Sequence, residues 1–158
     1  MTEHGGRLAN RGATLRAALD TLERCCATPV VPGELVTWLE TIETAFAELE
    51  SSLRQQIDRR HRAQFEQIMR DDPALQRPVE QLKREDGELA QVFEHLKQRA
   101  TALAERAAAL EPDEGSMSEE VDRFSRDGAW FVIRVRKQDT AIRTWLGEAV
   151  RREHGAGD

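Results

Sequence analysis

Side chains able to ligate a metal, carry a proton or attack an electrophile are sparse in this chain. Its four histidines are His4, His61, His95 and His154, and its two cysteines, Cys25 and Cys26, are adjacent. Adjacent thiols make neither a CxxC metal pair nor a disulfide framework. Helical spacing puts Cys26 on an apolar face as a small hydrophobe and Cys25 at its edge, with a redox-sensing thiol pair as the alternative. Asp58 and His61 have the i, i+3 spacing that sets a carboxylate and an imidazole on one helix face, a pairing also common by chance. His4 falls in the N-terminal tail, His95 beside its helix stripe and His154 at the last helix end, which leaves only His61 able to face inward, and then only at the blurred end of the second helix. No glycine-rich phosphate loop, GxSxG elbow or HExxH motif occurs, and paired carboxylates such as Glu119 and Glu120 read as helix capping and surface charge. No catalysis is expected.

The most informative single residue is Asp86. Val79, Leu82, Leu89, Phe93, Leu96, Ala100, Leu103, Ala107 and Leu110 follow the alternating three-and-four spacing of a helix packed on other helices. Asp86 stands where that spacing asks for an apolar side chain, and a buried carboxylate needs a hydrogen bond, a counter-charge or a metal. Gln138 breaks the stripe of the last helix in the same way, and Gln56, with Ser52 one turn before it, is a third polar candidate. Antiparallel helices pair at equal distances from their connecting turn. Counted from Pro73 and from Glu114, these positions agree to about one helical turn. One polar core layer of Ser52, Gln56, Asp86 and Gln138 is therefore predicted. Within it Asp86 is read as hydrogen-bonded to Gln138 or paired with an arginine, fixing helix register, with a single metal or a small polar pocket as the alternative.

The elements that must position this layer are long helices. Residues 1–9 are read as a flexible tail and 10–155 as one domain, with helices over about 10–27, 34–70, 78–110 and 117–154. Helix one carries Leu15, Leu19, Leu22 and Cys26 on one face and ends at Thr28-Pro29-Val30-Val31-Pro32-Gly33. The second carries Leu35, Leu39, Ile42, Phe46, Leu49, Leu53 and Ile57, continued more loosely by Phe65 and Ile68. Its pattern blurs at Asp58-Arg59-Arg60-His61-Arg62, a basic cluster read as a solvated face. Asp71-Asp72-Pro73 supplies a capping carboxylate and a proline, with a short turn before regular helix from Pro78. Glu111-Pro112-Asp113-Glu114-Gly115 is the next break, followed by Ser116 and Glu119 as a capping box. The last helix carries Val121, Phe124, Gly128, Phe131, Val135, Ile142, Trp145 and Ala149. Gly128 on that stripe predicts a close helix approach or a local bend. Trp38, Trp130 and Trp145 are read as covering core edges.

Four helices with short connections predict an all-α, up-down-up-down antiparallel four-helix bundle. At 158 residues, 39% hydrophobic and 33% charged, the chain can bury a core without staples. The net charge of -6 is dispersed in mixed-sign sequence, which argues against nucleic acid as a partner. Neither a signal-peptide core nor a run of about twenty apolar residues is present, so a cytoplasmic protein without membrane association is expected. A protein partner is compatible with these features, as is either a monomer or a homodimer.

The order of four helices, the Pro73 and Leu75 turn followed by Leu82-Lys83-Arg84-Glu85-Asp86-Gly87-Glu88-Leu89, and the close in Glu148-Ala149-Val150 and Gly155-Ala156-Gly157-Asp158 resemble the hemerythrin-like (HHE) domain. The resemblance covers about Leu8 to Asp158. That family has an LxxEHxxL pattern on its third helix whose histidine binds a di-iron centre, and Asp86 stands in the histidine's place. Its HxxxE pairs match Ser52 and Gln56 on the second helix and Gln138 and Ile142 on the fourth. The resemblance thus implies the family's fold with its metal-ligand positions substituted, and no cofactor. The expectation is a metal-free, non-enzymatic interaction or regulatory module. The alternative is a rearranged site including Asp86 and His61 that binds iron and senses or handles oxygen, nitric oxide or iron.

Overall fold

The computed structural model describes residues 3–109 and 113–155, with side chains from Leu15 onward. All regular structure among the described residues is helical: α1 (Glu3–Ala27), α2 (Leu35–Gln55), a π-helical turn (Gln56–His61), α3 (Arg62–Asp71), a 3-10 turn (Pro73–Leu75), α4 (Gln76–Ala107) and α5 (Glu114–Gly155). No helix among them is long and apolar enough to cross a membrane. Because α2, the π turn and α3 follow one another directly, the chain forms four long helical stretches that pack against each other.

Two compact units divide the chain. The first takes the chain up to Leu53 together with Val92–Val132; the second takes Arg54–Gln91 and the chain from Ile133. In the first unit, α1, α2, the later part of α4 and the early part of α5 close around aromatic rings. Phe46 meets Phe93 at 5.5 Å and Phe124 at 6.1 Å between ring centroids, and Phe93 meets Phe131 at 5.9 Å. These spacings suit tilted ring contacts, which add to the burial of large apolar surfaces. Trp38 lies edge-on to Phe124, and its indole N–H donates to the Cys25 carbonyl at 3.1 Å, which ties α2 to α1. An added Cβ at Gly128 would lie 2.7 Å from the Cys26 Sγ. A glycine is therefore required for this approach of α5 to α1. Both cysteines are half-buried, and burial pushes the Cys26 thiol up to about 12.

In the second unit, the π turn and α3, the early part of α4 and the end of α5 share a core. Phe65, Ile68, Leu75, Val79, Leu82, Ile142 and Ala149 are buried together, flanked by Met69, Ala141, Trp145 and Leu146. Fully burying a side chain such as Phe65 or Ile68 stabilises by about 1.5–3 kcal/mol.

Several boundaries differ from the sequence expectations. α1 begins at Glu3 rather than near Asn10, for no proline interrupts residues 3–9. Helix two does not run uniformly to Arg70; it is π-helical over Gln56–His61. α4 starts at Gln76, which leaves Pro78 in its first turn, where the missing N–H costs no intrahelical bond. Asp72 is extended (φ -148, ψ 95) and its carboxylate accepts from the Ala74 N–H at 3.0 Å, capping the 3-10 turn. α4 ends at Ala107, and Leu110, Glu111 and Pro112, expected at the end of that helix and in the following turn, lie outside the described residues. The Ser116 and Glu119 capping box does not form. α5 already starts at Glu114, the Ser116 hydroxyl donates to the Asp113 carbonyl at 2.7 Å, and Glu119 pairs with Arg123. The Glu114 carboxylate instead accepts from the N–H of Gly33, whose φ of 87 lies in the left-handed region that favours glycine.

Candidate functional site

The second unit holds the chain's buried polar residues. Among the described residues these are Gln56, His61, Asp86 and Gln138, each less than a tenth exposed. Asp86 projects from α4 and receives hydrogen bonds from two other helical stretches. His61 Nδ1 lies 2.9 Å from Asp86 Oδ1 and 3.0 Å from Oδ2. Gln138 Nε2, on α5, donates to Asp86 Oδ1 at 2.9 Å and to the Leu82 carbonyl at 2.8 Å. The contact with a carboxylate assigns a proton to Nδ1, which donates to Asp86. His61 Nε2 is buried and has no hydrogen-bond partner, and the same is true of Gln64 Oε1. The neighbouring ring is Phe65, at 6.1 Å between centroids.

The π turn brings these groups inward. At about 100° per residue an α-helix would carry His61 about 140° around the axis from Gln56, so the two could not share a face. The i→i+5 pattern of a π turn restores the alignment. Continued in strict alternation from Leu53, the α2 stripe would present Gln56, Arg60, Ala63 and Gln67. The residues actually buried are Gln56, His61, Phe65 and Ile68, displaced by one position at His61 and Ile68 and by two at Phe65. One extra residue in the helix therefore exchanges a core-facing Arg60 and Gln67 for Phe65 and Ile68, and delivers His61 to Asp86. Asp58, Arg59, Arg60 and Arg62 stay exposed.

The predicted polar residues are thus distributed unequally. Asp86 and Gln138 are bonded to each other. Gln56 is buried, but its Nε2 donates to Asp139 Oδ1 at 3.2 Å, and Arg143 holds the other oxygen of that carboxylate at 2.9 Å. Ser52 is not a buried member of the layer. It is half-exposed and its hydroxyl turns back to the Glu48 carbonyl at 3.4 Å, because helical rotation gives the inward positions to Leu49 and Leu53. The i, i+3 spacing of Asp58 and His61, common by chance, brings no pairing, since Asp58 faces solvent. His61 was missed as a member of the layer; the one-residue slip of the apolar pattern from Gln56 to Phe65 is the signal that marks it. His95 and His154 are exposed, the latter bonded to the Val150 carbonyl at 2.8 Å. Trp38 and Trp145 are half-buried, whereas Trp130, expected at a core edge, is 59% exposed because its helix turns Phe131 and Val132 inward.

A pocket of about 220 Å³ in the first unit is lined by Arg99, Ala102, Leu103, Arg106, Glu120 and Arg123. Arg99 is paired with Asp127, Arg106 with Glu120 and Arg123 with Glu119, so its guanidiniums offer little uncompensated charge to an anion. The buried layer on Asp86 is therefore the stronger candidate.

No protein-family model, curated protein or solved structure matches the chain.

Proposed function

We propose that this protein is a metal-free, hemerythrin-like up-down-up-down bundle that serves as an interaction or regulatory module and performs no catalysis. The observation that carries this reading is the engagement of Asp86. Its two oxygens accept from His61 Nδ1, and one also accepts from Gln138 Nε2, so side chains of the protein satisfy the carboxylate at the position the resemblance gives to a metal-binding histidine. The donor set at the matched positions does not fit a di-iron centre. Ser52 offers a hydroxyl bonded within its own helix, Gln56 and Gln138 offer neutral amides already engaged, and Ile142 is a fully buried hydrocarbon. One carboxylate among such groups is too little for iron, which is held by imidazole and several carboxylates in bundle sites.

Support for an interaction role comes from Trp130 on α5, with more than half its surface in water. Tryptophan is a residue type enriched at protein interfaces and their energetic centres. The deciding experiment is metal analysis with absorption spectroscopy on protein purified under iron-replete conditions. Less than a tenth of an iron per chain, about, with no charge-transfer band is expected. Stoichiometric iron with such a band would replace this reading by that of a rearranged iron site, including Asp86 and His61, that senses or handles oxygen, nitric oxide or iron.

A further inference from the structure

α5 carries a second stripe on the side away from its buried one. Phe124, Gly128, Phe131, Val135 and Gln138 are buried on one face of this continuous helix. At about 100° per residue, Arg126, Trp130, Ile133 and Lys137 fall within about 60° of one another on the opposite face. All four are exposed. Trp130 is 59% and Ile133 42% exposed, and their i, i+3 spacing makes them neighbours. Arg126 lies one turn before Trp130, and Lys137 one turn after Ile133. Arg123 is held by Glu119, and Arg134 by Glu85 and Glu88, whereas Arg126 and Lys137 make no ion pair among the described residues. The stretch is basic in a chain of net charge -6: between residues 123 and 137, Arg123, Arg126, Arg134, Arg136 and Lys137 stand against Asp127 alone.

We propose that Arg126, Trp130, Ile133 and Lys137 dock an acidic helical segment of a partner protein, whose apolar side chains cover Trp130 and Ile133 and whose carboxylates meet Arg126 and Lys137. This inference rests on the reading of the protein as an interaction module and names the chemistry of its partner. The face reads basic, apolar, apolar, basic at intervals of four, three and four, with the two cations about 17 Å apart along the axis. Its complement is a helix reading acidic, apolar, apolar, acidic at the same intervals. A second copy of the chain fits worse. Two antiparallel α5 helices that match Trp130 to Ile133 also match Arg126 to Lys137, setting like charges together. An anionic membrane fits worse as well, because two free cations are few against a net charge of -6 and the apolar stripe is narrow for an interfacial helix.

The test titrates the full chain with a fluorescein-labelled alanine–glutamine helix of about 20 residues. Two leucines at i and i+3 are flanked by a glutamate four residues before the first and another four after the second; a control peptide has lysine in both glutamate places. Label anisotropy reads affinity, and amide NMR of the full chain reads position. The glutamate peptide should shift amides around residues 126–137 and bind at least about tenfold more tightly than the lysine peptide. Trp130→Ala should weaken it about tenfold or more, and Arg126→Glu with Lys137→Glu should reverse the preference between the peptides. Circular dichroism checks that each variant keeps the helix content of the wild type. Equal binding of the two peptides, shifts confined to other residues, or no binding at about 1 mM peptide overturns the inference. Self-association in sedimentation, or binding to phosphatidylserine vesicles, that Trp130→Ala abolishes also overturns it, by giving the face another occupant. All these outcomes leave the metal-free, non-catalytic reading in place. Stoichiometric iron in the same preparation overturns that reading and leaves the peptide result standing.

Discussion

Removing one residue from the middle of a helix ordinarily ruins the packing of everything after it, because the downstream face turns by about 100°. Deletion of Arg59 should be an exception. Arg59 is exposed and sits inside the π turn, and the buried positions around it are Leu53, Gln56, His61, Phe65 and Ile68. Without Arg59 the intervals between them become three, four, four and three, the spacing of an uninterrupted α-helix. Phe65 and Ile68 stay in the core, and Gln56 and His61 move to an i, i+4 relation that keeps both facing inward. The stability of this variant should lie within about 1 kcal/mol of the wild type, since apolar burial is preserved and one π turn is exchanged for α. Deletion of Ala47, an equally exposed residue of α2, is the control. It turns Leu49 and Leu53, which are 0% and 4% exposed, away from the rings that precede them. At about 1.5–3 kcal/mol for each side chain, that loss is about 3–6 kcal/mol. Urea unfolding followed by far-ultraviolet circular dichroism measures both differences. Equal destabilisation by the two deletions would refute the argument that the π turn corrects the phase of the helix by one residue.

Two further outcomes follow from the buried groups. His61→Ala leaves the Asp86 carboxylate short of a partner and should cost about 3–5 kcal/mol in denaturant unfolding, whereas the apolar double variant His61→Phe with Asp86→Leu should come within about 2 kcal/mol of the wild type. The Cys26 thiol ionises in the folded protein only at about 12, against 9.0 in an unperturbed chain, because burial disfavours the thiolate. A folded value above the unfolded one means a contribution that is complete below pH 9.0 and lost as pH rises toward 12. The stability of the wild type should therefore fall more steeply over that window than that of Cys26→Ala, as read from urea midpoints at successive pH values.

Most of the helical architecture is legible in the chain because each stripe is local. The residues of α1, α2, α4 and α5 predicted from three-and-four spacing include most of those found buried, from Leu15 to Ala149. Gly128 is legible for a similar reason: a glycine on an apolar stripe has no packing value of its own, and the Cys26 sulfur stands where its side chain would be. Helix ends are less legible. Ser116 and Glu119 satisfy the capping pattern, yet the bond from Gly33 to Glu114 helps fix an earlier start, and Gly33 is remote in sequence.

The buried site shows where local pattern stops being enough. Asp86 can be singled out because it interrupts a regular stripe, and the inward position of Gln138 follows from the same counting. Counts from the two sides of the π turn place different residues inward. From Leu53 the count arrives at Arg60, and from Ile68 backward it arrives at His61, so the two halves of the stripe disagree by one residue. The disagreement looks like a weakening of the apolar signal, and Asp58 then looks like the partner of His61 because it is near in sequence. Taken as a phase slip, the same residues require one inserted position between Gln56 and His61. They put the imidazole on the inward face, where the other long helices supply its carboxylate at Asp86 and that carboxylate's second donor at Gln138. The chemistry of the site is therefore set by a single extra residue among exposed charges.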